Sequence, residues 1–218
     1  MTEENRLYQV VLIWVRDAET WARYGRQVAA TAAKYGWVER TIVPEEVYGD
    51  GVRLPDLLNI VYFDDGERGV AGWSRDPDFL EVVGLRSASI DMFDVFGVPE
   101  RGDVHEDGLE TRRYLVEFAQ FGPGGQTAYL EYEREADSLM APHGYHVERV
   151  IRPRGETALP FRPDVMKVAY FETADGFRRA QEAPGHARVE NELYSAAVAN
   201  SVWVVGRARS TAPRPGSG

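Results

Sequence analysis

The chain has 218 residues, 44% hydrophobic and 28% charged, with no cysteine; this balance fits a globular protein with a sizeable core and excludes disulfides and thiolate metal sites. A net charge of −10 and the lack of a basic stripe argue against nucleic acid as a partner. The longest apolar run, 10–15, is far too short to span a bilayer, and the start lacks the basic-then-apolar order of a signal peptide, so the expectation is no membrane partner and a cytoplasmic location.

Residues 7–15 are rich in β-formers and read as a strand. Asp17 then reads as a helix cap, with Thr20 as a competing choice. Trp21, Tyr24, Val28, Thr31, Ala32 and Tyr35 recur at helical spacing. Gly36 ends that helix, where a left-handed residue costs least as glycine. Residues 37–43 and 57–63 read as the second and third strands. Segments 67–73 and 79–90 read as one helix broken at Asp76-Pro77, and 92–98 as a fourth strand. The order is βαββαβ.

The chain then says this again. Pro55-Asp56, followed by Tyr62-Phe63, returns as Pro163-Asp164 and Tyr170-Phe171 at an offset of 108. Tyr24 matches Tyr132, Tyr35 matches His143, and Val38-Glu39-Arg40 matches Val147-Glu148-Arg149. The second copy predicts strands at 114–121, 146–152, 165–171 and 201–207, with helices at 126–142 and 174–198. A unit of about 100 residues is domain-sized. The expected division is a first repeat at 1–100, a linker at 101–111, a second repeat at 112–209 and a disordered tail at 210–218. His105 falls in the linker and reads as inert.

Split βαβ units give a sheet of order 4-1-3-2 with both helices on one face. Two such sheets can bury each other's open faces. The predicted fold is therefore α+β: two tandem ferredoxin-like βαββαβ repeats, packed sheet to sheet as a pseudo-dimeric α/β barrel.

Period-2 alternation puts Gln9, Val11 and Ile13 on one face of the first strand and Glu117, Ala119 and Phe121 on the same face of its copy. Asn59 and Lys167 share the matched position of the third strands. Strands one and three are neighbours in the predicted order, so Glu117 and Lys167 can lie side by side. One reading is a polar pocket in the barrel, with Glu117 as a general base tuned by Lys167. The other is a buried ion pair kept for its own satisfaction. Arg40/Arg149 and Glu39/Glu148 are expected on opposite faces of the second strands.

His143 and His146 offer acid–base chemistry near neutral pH. Their spacing with Glu148 has a metal-like look, but a helix–strand turn need not bring them together, and no metal is expected. The catalytic candidates are Glu117, His143 and Lys167. Gln9, Asn59, Tyr35, Arg86, His146, Phe121 and Tyr194 are the substrate-binding candidates. No phosphate- or nucleotide-binding motif occurs, and no Gly-x-Ser-x-Gly elbow.

Four features carry a family likeness: Tyr62-Phe63 closing a Pro-Asp strand, the helix break Ser74-Arg75-Asp76-Pro77-Asp78-Phe79, the downstream Arg86, and Val95-Phe96-Gly97. Each half resembles the dimeric α/β-barrel superfamily, closest to its short domains of unknown function. The second copy departs from the pattern, with Tyr194 where Arg86 stands and Gly185-His186 for Asp78-Phe79. The resemblance implies relatives that include cofactor-independent monooxygenases, polyketide cyclases, lactone isomerases and haem enzymes. His143 and His186 are the histidines available for haem, with no signature to favour it. The expectation is a cofactor-free enzyme, monomer or homodimer, acting on a small apolar or aromatic, polyketide-like compound by cyclisation, isomerisation or elimination. Cofactor-free oxygenation and binding without turnover are the alternatives.

Overall fold

The computed structural model describes residues 5–49, 51–102, 108–157 and 159–209; His105 and the tail 210–218 lie outside them. The first repeat comprises β1 (Leu7–Val15), α1 (Ala18–Tyr35), β2 (Gly36–Tyr48), β3 (Leu57–Phe63), α2 (Gly66–Arg75), α3 (Pro77–Ser89) and β4 (Ile90–Arg101). The second comprises β5 (Arg113–Phe121), α4 (Gly125–Met140), β6 (Tyr145–Arg154), β7 (Val165–Phe171), α5 (Ala174–Gln181) and β8 (Val198–Arg209). The helical stretch 174–198 is interrupted between Gln181 and His186, where Ala183-Pro184 matches the Asp76-Pro77 break of the first repeat. After α5 the chain turns at Gly185, in the left-handed region at φ 97°, and winds through π-helical Val189–Tyr194. No helix among the described residues is long and apolar enough to cross a membrane.

The strands close one antiparallel barrel in the order β1-β3-β2-β8-β5-β7-β6-β4. Each repeat keeps the predicted 4-1-3-2 order. The two sheets also join edge to edge, β2 to β8 and β4 to β6, which leaves no sheet edge open to foreign strands. Their open faces become the barrel interior, where residues of both repeats pack together: Tyr8, Val10 and Leu12 with Val116, Phe118 and Ile151. The helices lie outside the barrel, one set over each repeat.

The shared sequence has physical causes. The amide of Asp56 donates to the Ile13 carbonyl and its carboxylate accepts from the Val15 amide, at 2.8 and 2.7 Å. Asp164 does the same with Ala119 and Phe121, both at 2.8 Å. The Pro-Asp pair is thus the clamp that starts each third strand against the end of the first. Asp17 caps α1 through the amides of Glu19 and Thr20, and Asp76 caps α3 with Pro77 at its first turn. Gly36 is extended, not left-handed. A Cβ there would lie 1.9 Å from the Tyr62 carbonyl oxygen, so close strand approach is what requires glycine.

The repeated Val-Glu-Arg marks where the halves grip each other. Both second strands shift register there, between Val38 and Arg40 and between Val147 and Arg149. A bulge of this kind lets consecutive residues point the same way. Glu39 and Arg40 therefore do not face opposite sides, as alternation predicts, and nor do Glu148 and Arg149. All four meet inside the barrel. Arg40 pairs with Glu148 of the other repeat at 3.0 Å, and Arg149 with Glu39 at 3.1 Å. Tyr8 donates to Glu39 at 3.2 Å and Tyr114 to Glu148 at 2.8 Å. Arg112 stacks over Tyr170 at 3.9 Å, as Arg6 does over Tyr62 at 4.1 Å. Burial pushes Glu148 above the usual carboxylate range, with Arg40 and Tyr114 opposing; the same burial lifts the Tyr114 hydroxyl to about 12.

Breaking one side of such a buried pair strands a charge. Arg40→Met should cost about 3–5 kcal/mol in urea unfolding. Arg40→Met with Glu148→Leu should recover most of that loss. A double variant no more stable than the single one would show that the exchange does not hold the barrel in this way.

Candidate functional site

The polar positions singled out by alternation do not face the barrel interior. Gln9, Val11, Asn59, Glu117 and Lys167 all lie on the other side of the sheet, under the helices. The pairing also shifts one assignment. Tyr8 faces Tyr62 as Tyr114 faces Tyr170, and Val11 faces Asn59 as Glu117 faces Lys167. The first strands therefore repeat at an offset of 106, while the third strands repeat at 108. Glu117 occupies the place of Val11, not of Gln9, and Gln9 corresponds to Leu115. The constant offset of the sequence repeat is two residues out on this strand.

In the first repeat the space between sheet and helices is a cavity of about 260 Å³. Val11, Ile13, Val28 and Val61 give it an apolar wall, and Trp21, Tyr24, Trp37 and Trp73 add flat aromatic surface. Gln9, Asn59 and Arg86 also line it. The two amides are fixed from behind. Gln9 donates through Nε2 to Asp94 at 2.6 Å, which leaves its Oε1 as an acceptor. Thr41 donates to Oδ1 of Asn59 at 2.9 Å, which leaves its Nδ2 as a donor. Arg86 lies beside Tyr24, whose hydroxyl burial pushes up and Arg86 partly restrains. An apolar slot with a few oriented polar groups is the usual form of a small-molecule site. Asp94 faces Val11 across β4 and went unnoticed in the sequence, although its alternation with Met92 on β4 places it on this face.

The second repeat has used the same space differently. Glu117 and Lys167 are register partners, as predicted, with Nζ 3.3 Å from Oε2 and neither side chain exposed. Glu133 from α4 lies 3.7 Å from the same ammonium, and the Tyr129 hydroxyl donates to Glu117 at 2.7 Å. Burial opposes the charge on Lys167, but Glu117, Glu133 and Asp137 around it more than offset that and hold it above its ordinary range. Neither Glu117 nor Lys167 lines a cavity. A space of about 370 Å³ remains beside them, lined by Tyr132, Tyr145, Tyr194, Trp203, His186 and Glu190. The Trp203 indole donates to the Tyr194 hydroxyl at 2.7 Å.

The remaining candidates do not converge. His143 sits in the turn after α4 and lines no cavity. His146 is exposed, stacked on Tyr170 and 2.9 Å from Glu172. Phe121 packs on Tyr129 and lines a separate cleft with Gln126, Glu133 and Arg162, away from Tyr132 and Tyr194. Tyr35 donates to Asp76 at 2.8 Å, closing the end of α1 onto the helix break. Among the described residues no three His, Asp or Glu side chains gather to hold a metal ion.

Haem would need an axial ligand facing an open slot. The first cavity has no histidine. The second has His186, which burial holds below the ordinary histidine value, but its floor is taken by the rings of Tyr132, Tyr194 and Trp203, 4.9 and 5.9 Å apart centre to centre. These residues do not fit the macrocycle.

The chain is similar in fold to several solved structures. An anthrone oxidase-like protein superposes with a TM-score of 0.55 at 9% identity, covering 100% of this chain and 99% of the other. A candidate monooxygenase of Fusobacterium nucleatum gives 0.58 at 6% identity, covering 96% and 94%. A mutant chlorite dismutase of Candidatus Nitrospira defluvii gives 0.61 at 10% identity, covering 96% and 93%. These likenesses are of fold, the pseudo-dimeric α/β barrel of two ferredoxin-like repeats described above. No family model matches the chain, and no curated protein matches it.

The Tyr35 hydroxyl is the largest of the contacts that hold the Asp76 carboxyl below the usual range, ahead of Lys34 and the Asp78 amide. A depressed carboxyl contributes stability above its unfolded pKa of about 3.9 and loses it as pH falls through the folded value. Tyr35→Phe should therefore lower the thermal midpoint at neutral pH, and its deficit should shrink as pH falls through the folded pKa of Asp76. A deficit that persists unchanged in acid would mean the ring, not the hydroxyl bond, is what matters.

Proposed function

We propose that the chain is a small-molecule oxygenase of the monooxygenase-like kind, acting on a planar, electron-rich aromatic compound of anthrone type in the first repeat's cavity. The observation that carries this is the aromatic slot itself, with Gln9 and Asn59 locked by Asp94 and Thr41 so that one presents an acceptor and the other a donor. The likeness to an anthrone oxidase-like protein and to candidate monooxygenases supports the reaction class.

Such a substrate ionises at a carbon activated by its carbonyl. The Asn59 amide N–H stabilises the enolate oxygen that forms, as an oriented donor does in a dry site. The Gln9 carbonyl holds a ring hydroxyl, and the indoles hold the plane. Dioxygen then oxidises the carbanion: the methylene carbon gives up two hydrogens and takes one oxygen atom, and the second oxygen leaves as water. Glu117 and Lys167, sealed from this cavity, have a supporting role in the second repeat.

A second reading has the same ionised substrate cyclise or isomerise without oxygen. The Gln9–Asp94 contact favours it, because it brings a carboxylate next to the slot as a proton acceptor.

Anthrone incubated with the purified chain should consume oxygen and yield anthraquinone faster than in buffer, and should stop under argon. Asn59→Ala should lower kcat about a hundredfold by removing the enolate donor. Product formation that continues without oxygen would favour the acid–base reading, and no turnover in either atmosphere would defeat both.

A further inference from the structure

Arg86 belongs to two cavities at once. It lines the aromatic slot and also an open cleft of about 780 Å³ outside it, and Ile90 and Met92 are shared in the same way. The cleft adjoins the slot at these three residues, and we take it as the slot's mouth. Among the described residues its walls carry Arg16, Arg53 and Arg86 with one carboxylate, Asp91. This stands out on a chain whose net charge is −10.

The arginines are not equivalent. Arg16 donates to the carbonyls of Ser87 and Ile90 at 2.6 and 3.1 Å, which fixes it to the end of α3. Arg16 and Arg53 share Asp91, each at 3.6 Å. Arg86 has no carboxylate within ion-pair distance among the described residues. Its guanidinium packs against the Phe79 ring at 5.3 Å and lies beside Tyr24. A half-buried guanidinium with its fork turned to a cavity and no acidic partner is suited to bidentate recognition of a carboxylate.

We infer that the compound held in the aromatic slot carries a carboxylate, bound by Arg86 at the mouth with Arg53 and Arg16 behind it. The inference rests on the functional reading above and narrows its substrate class to aromatic acids. The second repeat has Tyr194 in place of Arg86, so the clamp exists on one side of the molecule only. A carboxylate at the mouth also sets the orientation of the ring, with the acid end outward and the reacting carbon towards Gln9 and Asn59.

The test is calorimetric titration of the full chain with 2-naphthoate and with its neutral isostere 2-naphthamide. The acid should bind at least about tenfold tighter than the amide, the scale of one charge-assisted hydrogen bond. Arg86→Gln should erase that preference while amide affinity stays, which also shows the variant is folded, and Arg86→Lys should keep part of it. Added salt should weaken the acid alone in the unaltered chain; this holds even if a variant fails to fold. Equal affinities for acid and amide, or an Arg86→Gln variant that weakens both alike, would overturn the carboxylate clamp and leave the aromatic slot standing. Binding of neither probe would overturn the slot as the ligand site, and the clamp with it.

Discussion

The reciprocal exchange of Arg40 with Glu148 and Arg149 with Glu39 is the constraint on which the rest of the structure depends. It joins two repeats whose sheets would otherwise be two half-barrels with open faces. The charges are buried, so their desolvation cost is offset only if every member finds its partner. Tyr8, Tyr114 and Arg112 complete those contacts. The two bulges that bring Glu and Arg to the same side follow from this need. The network and the apolar residues around it occupy the interior, and two of the cavities among the described residues lie on the outer faces of the sheet, under the helices.

The two outer faces have diverged in opposite directions. In the first repeat, apolar Val11 lies opposite Asn59, and the helices stand off far enough to leave an aromatic slot. In the second, Glu117 and Lys167 occupy those same two positions. Once one was ionisable the other had to compensate, and Glu133 and Tyr129 were drawn in to satisfy them. The ionic cluster sits beside a space of about 370 Å³ at the matched place across the pseudo-twofold, lined by Tyr132, Tyr194 and Trp203. Tyr194 in place of Arg86 removes the charge from that mouth as well. The two copies of one unit thus differ most in the side chains between sheet and helices.

Much of the fold was legible because it is written in local chemistry. The cap at Asp17, the helix break at Asp76-Pro77 and the alternating strands each act over a few residues and read directly. The 4-1-3-2 order followed from the split βαβ pattern. The bulges were not legible, since one extra residue in a ladder leaves no mark in the sequence, and they inverted the expected facing of Glu39 and Arg40. The two-residue slip between first and third strands was hidden for a related reason: register is set by ladder pairing, whereas a repeat offset only counts residues. That slip is why Gln9 and Glu117 looked like counterparts. The alternation rule grouped Gln9, Asn59, Glu117 and Lys167 correctly on one face, but it has no means of saying whether that face looks into the barrel or towards the helices. Asp94 was missed because β4 reads as a plain closing strand until its pairing with β1 is known.

The proposed ligand site lies in the first repeat, between the sheet and α1 and α3, and not in the barrel or the second repeat. A crystal structure of the chain with a bound planar aromatic compound tests it most directly. The account predicts density against Trp21, Trp37 and Trp73, within hydrogen-bond reach of Gln9 and Asn59. A ligand lodged instead among Tyr132, Tyr194 and Trp203, or inside the barrel beside Glu148, would contradict it.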